Sequence, residues 1–264
     1  MRSVYSQRQK KKISKKVVII SVLLVFSLFA TAFFNRNVSE QQNKQPDVLA
    51  EQKDSVDIAP QQEDAIPEQP KTWPVTYSLQ EASSLTVVVN KKHKLPADYV
   101  PELQSVAGGQ MRPEAASSLT DLLAAADSAG LSMSIISSYR SYDTQVSTYN
   151  RWVEVDGQAQ ADRTSARAGH SEHQTGLAVD LGMPDGSCDL AICFGDTAQG
   201  QWLAEHAHEF GFIVRYGATT EAITGYQYEP WHMRYVGISV ATDIIKSGKT
   251  LDEYYGVTAG GYSN

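Results

Sequence analysis

Beyond about residue 72 the apolar positions of this chain switch between helical and strand periods. Leu119, Leu122, Leu123 and Ala126 recur three and four apart behind Pro113, and Gly130 follows, so a helix should open at the proline and stop at the glycine. Residues 132–137, centred on Ile135 and Ile136, read as a strand. Tyr142, Val146, Tyr149 and Val153 form a second helical stripe, for which core packing is the simplest explanation, and Arg140 then falls in the turn before it. Leu177-Ala-Val179 is a short apolar run that predicts a buried strand with Asp180 at its end. A third helix spans residues 197–210 and stops at Gly211, a strand follows over 212–216, and a last helix covers about 238–246. Pro230 excludes a helix through Glu229 to Arg234, which leaves an irregular strand there. Together these elements predict one α+β domain over 72–256, with a mainly antiparallel sheet flanked by helices.

The stretch before this domain has no such periodicity. Residues 17–34 are almost wholly apolar and uncharged, about the minimum for a membrane span, and they follow a basic head, residues 1–16. That arrangement predicts a single-pass signal-anchor in the cell membrane with the remainder outside. Ala30-Thr-Ala32 offers the alternative of a cleaved signal and a secreted protein. Residues 35–71 are rich in Gln, Glu, Asp and Pro and predict a disordered linker, and 257–264 a flexible tail. The head carries seven basic and no acidic side chains, so the chain's net charge of −7 becomes −14 for everything after it. So acidic an exterior argues against nucleic acid as a partner.

Candidate chemistry gathers in two segments. Ser171-Glu-His-Gln-Thr-Gly-Leu-Ala-Val-Asp180 and Glu229-Pro-Trp-His-Met-Arg234 hold two imidazoles, one carboxylate and a spare glutamate. A catalytic zinc takes three N/O ligands and leaves a position for water, so His173, Asp180 and His232 complete a set and Glu229 is free to move protons. An Asp between Val179 and Leu181 is expensive to desolvate without a compensating cation. His-x6-Asp is not a diagnostic spacing, however, and a polar loop that contains histidines fits the composition as well. Spacing alone also leaves His170 as a rival to His173. His206 and His208, two apart in a helix, face different ways, and His93 sits in Lys91-Lys-His-Lys94, read as a solvated turn.

These segments resemble the VanY-like D-alanyl-D-alanine carboxypeptidases, zinc peptidases that trim peptidoglycan stem peptides. The likeness extends to Ser137-Ser-Tyr-Arg-Ser-Tyr142 with Gln145, to Trp202-Leu203, Gly211-Phe-Ile-Val-Arg-Tyr216 and Thr224-Gly225, and to Val89-Asn-Lys91, Leu95-Pro96 and Tyr99-Val-Pro101. It implies a small α+β zinc-peptidase domain with His173, Asp180 and His232 as Zn(2+) ligands and Glu229 as general base and acid. It also implies a substrate pocket lined by Arg140, Gln145, Ser171, Tyr216 and Trp231. Arg140 suits two tasks, stabilising the oxyanion or gripping the substrate's terminal carboxylate. Gly217 departs from the family pattern, where a proline is expected.

The reaction so implied is zinc-dependent removal of the terminal D-Ala from stem peptides. An L,D-carboxypeptidase acting on tetrapeptide stems shares the same motifs. A non-catalytic wall-binding module should lack a ligand or the glutamate, and this chain has both; an incidental metal site leaves Arg140, Glu229 and the pocket aromatics unexplained. Cys188 and Cys193 are the only cysteines, and in an exported protein so close a pair predicts a disulfide that closes a small loop.

Overall fold

A computed structural model of the chain describes residues 78–257 and 259–262. The predicted head, anchor and linker (1–16, 17–34 and 35–71) lie outside the described residues. Among the described residues no helix is long and apolar enough to cross a membrane.

A two-stranded hairpin comes first, β1 Gln104–Val106 and β2 Gly109–Met111, followed by helix α1 Pro113–Ser128 and strand β3 Ser134–Ser137. Helices α2 Tyr142–Asp156 and α3 Gln158–Thr164 follow, then β4 Ala178–Gly182, α4 Ala198–His206 and β5 Phe212–Tyr216. The short α5 Glu221–Thr224, strand β6 Glu229–Tyr235, α6 Ile238–Ser247 and α7 Leu251–Tyr255 complete the order. The main sheet runs β3-β4-β6-β5, and every neighbouring pair is antiparallel. The architecture is therefore α+β with antiparallel sheets flanked by helices, as the alternating periods predict.

Local chemistry accounts for the element ends. Pro113 opens α1, where its missing N–H is no loss, and Gly130 leaves the helix at φ +77°. Ser141 caps α2 by accepting from the Thr144 amide, and Thr250 with Glu253 forms a capping box on α7. Leu119 and Leu122 of α1 pack with Val179 and Leu181 of β4, Phe212 of β5 and Met233 of β6 into one core beneath the sheet. Truncating any of these leucines to Ala costs about 2–5 kcal/mol.

Four expectations change. Residues 197–210 do not form one α-helix: α4 ends at His206, and Ala207–Phe210 tightens into a 3-10 turn before Gly211. The Tyr142–Val153 stripe is not core. Only Gln145 of α2 is buried, because this helix packs over the mouth of a cavity and not over the main apolar cluster. Lys91 is not solvated; its Nζ donates to the carbonyls of Asp162 and Gly225 and lies 4.3 Å over the Tyr226 ring. Within the predicted tail, the Tyr262 ring is held under the Arg167 guanidinium and edge-on to His170, and its hydroxyl accepts from the Arg167 amide.

Candidate metal centre and active site

The centre of the sheet carries the site. In the β4–β6 register Asp180 lies directly opposite His232, and β5 brings Tyr216 opposite Glu229. Between Val214↔Met233 and Tyr216↔Glu229 the register shifts, with β6 advancing four residues while β5 advances two. This irregularity contains Pro230 and Trp231. It lets Glu229 and His232, three apart, approach the same centre instead of pointing to opposite faces.

His173 arrives from a different direction. It sits in a 3-10 turn, Glu172–Thr175, that ends at Gly176 in the left-handed region, φ +69°. A Cβ at Gly176 would meet the Arg112 backbone nitrogen at 3.2 Å and Pro101 at the same distance, so glycine is needed both for the turn and for the close approach.

The donor atoms of His173, Asp180 and His232 lie within 4.8 Å of one another, and all three residues are buried. His173 Nε2 is 3.2 Å from Asp180 Oδ2, and His232 Nδ1 is 3.0 Å from Asp180 Oδ1. The Ser138 carbonyl lies 2.7 Å from His173 Nδ1; a carbonyl only accepts, so Nδ1 carries the hydrogen and the Nε2 lone pair faces the cluster. His232 is oriented on the same principle, with Glu172 Oε2 3.4 Å from Nε2 and Nδ1 turned to the cluster. Two imidazole nitrogens, each ring steered by an outer hydrogen bond, and one carboxylate fit a zinc-type donor set. His170 turns elsewhere, its Nδ1 2.8 Å from the Asn90 carbonyl.

The surrounding groups set the charges. Glu172 is fully buried, and its Oε1 accepts from Arg215 Nε and Arg234 Nη1, each at 2.8 Å. Burial pushes its carboxyl up, but the two guanidiniums and His232 outweigh that and hold it well below the usual carboxylate range. Arg215 Nη1 also donates to Asp252 Oδ2 at 2.7 Å, and Asn90 to Asp252 Oδ1 at 2.7 Å, so a buried ionic network underlies the site. Burial acts against a charged His232 ring, yet its bonds to Asp180 and Glu172 raise it to about 10. Burial drives Glu229 up to about 8, with His232 and Arg140 pulling the other way.

Arg140 donates from Nη1 to Gln145 Oε1 at 2.9 Å and from Nη2 to Ser137 Oγ at 2.7 Å, and Nη2 stands 3.9 Å from Asp180 Oδ2. Gln145 donates in turn to the Ala166 carbonyl at 2.6 Å. Arg140, Ser171, Tyr216, Glu229 and Trp231 line one cavity of about 440 Å³ together with the three donors, whereas Gln145 lies behind Arg140 and outside that lining. Tyr216 stacks on the His232 ring at 5.1 Å and on Tyr226 at 4.6 Å. Cys188 and Cys193 are joined, with Cα atoms 5.6 Å apart, and Leu190 inside their loop reaches the cavity rim.

Sequence reasoning missed Glu172, Arg215 and Arg234 as parts of the site. All three stand inside the quoted motifs. For Arg215 and Arg234 the available signal was a charged side chain within a buried apolar strand; Glu172, in the 3-10 turn, carried none.

An α+β scaffold with these donors and an adjacent unligated glutamate is the framework of a hydrolytic metalloenzyme. Comparison with known proteins makes the class specific. A family described as VanY: D-alanyl-D-alanine carboxypeptidase matches residues 108–238, and the chain belongs to that family. It is 36% identical over 189 residues to YodJ of Bacillus subtilis (strain 168), covering 67% of this chain and 69% of that protein. The structure of the L,D-carboxypeptidase DacB from Streptococcus pneumoniae is 43% identical, with a TM-score of 0.57 over 67% of this chain and 89% of DacB. The vancomycin-resistance D,D-pentapeptidase VanY from a VanB-type cassette, in complex with Zn(II), is 34% identical, with a TM-score of 0.58 over 66% of this chain and 99% of VanY.

Proposed function

We propose that this chain is a zinc-dependent carboxypeptidase that releases the terminal D-alanine from peptidoglycan stem peptides. The observation that carries the reading is the buried His173–Asp180–His232 cluster beside an unligated Glu229 at the floor of a cavity that also contains Arg140. Zinc at those three donors supplies Lewis-acid polarisation of the scissile carbonyl and an acidified water. Glu229 Oε2 lies 4.0 Å from His232 Nδ1, close enough to take a proton from a water at the centre and deliver it to the leaving amine. A neighbouring divalent cation opposes the burial that raises Glu229 and leaves it ionised to act as a base.

Arg140 is held rigid by Gln145 and Ser137 and aims its charge at the cavity, where a carboxylate or developing oxyanion is stabilised. We assign Gln145 to holding Arg140, and Ser171, Tyr216 and Trp231 to the walls that contact substrate.

The family match supports cleavage of a D,D bond at a pentapeptide end. A second reading, cleavage of the L,D bond of a tetrapeptide, is favoured by the 43% identity to DacB against 34% to VanY. Incubating the protein with defined tetrapeptide and pentapeptide stems, with and without chelator, separates them by product mass. Release of D-alanine from either stem, abolished by chelator, supports the proposal; inert stems in the presence of zinc refute it.

The apolar run 17–34 completes the reading as a cell-membrane anchor that presents the catalytic domain outside, with secretion after cleavage as the alternative. Fractionation of cells expressing the full chain tests this: a protein found only in the cytosol would sink it.

A further inference from the structure

Tyr262 lies outside residues 108–238, the stretch over which the family matches, yet it is tied to the wall of the site. Residues 259–262 pass close over the turn at Gly225. A Cβ on Gly225 would meet the Gly260 carbonyl oxygen at 2.8 Å, so glycine is needed there for the approach as well as for its φ of +78°. The Tyr262 ring then sits 4.1 Å from the Arg167 guanidinium and 5.4 Å from Lys91 Nζ, two cations over one phenol.

The phenol oxygen has a more specific task. It accepts from the Arg167 amide at 2.9 Å, and the carbonyl of that same peptide group, belonging to Ala166, accepts from Gln145 Nε2 at 2.6 Å. A peptide group is planar, so holding its N–H on one side sets the direction of its C=O on the other. Gln145 Oε1 accepts in turn from Arg140 Nη1 at 2.9 Å, and Arg140 Nη2 stands 3.9 Å from Asp180 Oδ2. One line of hydrogen bonds therefore runs from Tyr262 through the 166–167 peptide and Gln145 to the cation that faces the metal donors.

We propose that Tyr262 is a positioning residue for hydrolysis, orienting Arg140 through the Ala166–Arg167 peptide and Gln145. This rests on the carboxypeptidase reading and deepens it. Without the phenol oxygen the Arg167 N–H loses its acceptor, and the peptide rotates toward another one. The Ala166 carbonyl turns with it. Gln145 is buried and must follow its acceptor, so its grip on the Arg140 fork loosens. An arginine released in this way no longer delivers its charge to a single point in the cavity.

The test compares the full chain, loaded with zinc, as wild type, Tyr262→Phe, Gln145→Leu and the double variant on tetrapeptide and pentapeptide stems. Tyr262→Phe keeps the ring beneath Arg167 and removes only the hydroxyl. It should retain one zinc per chain and lose roughly three- to tenfold in kcat/KM on the stem that the wild type cleaves, the size expected of one hydrogen bond. Gln145→Leu should lose at least as much, and adding Tyr262→Phe to it should cost nothing further, because the line is already cut. Amide hydrogen exchange reads the same link without turnover: the Arg167 amide should exchange at least about tenfold faster in Tyr262→Phe. Wild-type kcat/KM or unchanged Arg167 exchange in Tyr262→Phe overturns the proposal. A loss that adds in full to that of Gln145→Leu also overturns it, since a general loosening of the fold acts independently of Gln145. A wild-type protein that cuts neither stem overturns the carboxypeptidase reading and this role with it.

Discussion

Glu172 Oε2 lies 3.4 Å from His232 Nε2, on the far side of the imidazole from Asp180, so one carboxylate both orients a metal-ligand candidate and holds two buried arginines. A carboxylate behind a ligating imidazole fixes its tautomer and raises its basicity. Its neighbour His173 belongs to the same 3-10 turn, which places both residues by a single backbone feature.

Glu172→Gln keeps the volume and removes the charge, leaving Arg215 and Arg234 buried without their shared anion. The variant should lose about 3–5 kcal/mol of stability. Its zinc affinity should fall roughly tenfold or more. Denaturant unfolding and chelator competition measure the two losses, and wild-type values in both would remove Glu172 from this role.

The same residue sets a pH dependence. The Glu172 carboxyl is held below its ordinary value in the folded state, so its contribution is present above the unfolded value of about 4.3 and disappears as pH falls through that point toward the folded one. Chelator-treated wild-type protein should therefore melt at progressively lower temperature below about pH 4.3. Glu172→Gln should be flatter over that window, and parallel curves for the two proteins would exclude the assignment.

His232 predicts how metal binding responds to pH. Without a cation its ring keeps a proton to about pH 10, whereas ligation needs Nδ1 free. Zinc binding near neutrality should release about two protons, one from His232 and one from Glu229, whose carboxyl sits at about 8 without the cation, and apparent affinity should climb with pH. Calorimetry in buffers of different ionisation enthalpy counts them; none released would mean that His232 does not ligate.

Glu229→Gln should lose roughly 10²–10⁴ in turnover while retaining stoichiometric zinc, since Glu229 moves protons and does not bind metal. His232→Ala should instead lose metal and activity together. A metal-loaded Glu229→Gln enzyme with normal turnover would contradict the proton-transfer role.

Much of this site was legible along the chain because its signals are local. Pro230 announced an irregular strand and the run 177–179 a buried one, and both are found, although β4 continues to Gly182 and carries Asp180 at its middle rather than at its end. The ionic network was not legible. Glu172 meets Arg215 and Arg234 across separations of 43 and 62 residues, and no local pattern announces such a pairing. The α2 stripe misled for a related reason: helical periodicity reports an amphipathic face, but not whether that face meets the core or a ligand cavity. Gln145 likewise looked like a pocket residue, and only the folded chain shows it bonded behind Arg140.

The central claim is that His173, Asp180 and His232 hold one catalytic zinc, and metal content measured alongside D-alanine release tests it most directly. The purified protein should carry one zinc per chain, lose both zinc and D-alanine release on chelation, and regain both when zinc is restored. Full hydrolysis of stem peptides by metal-free protein would contradict it.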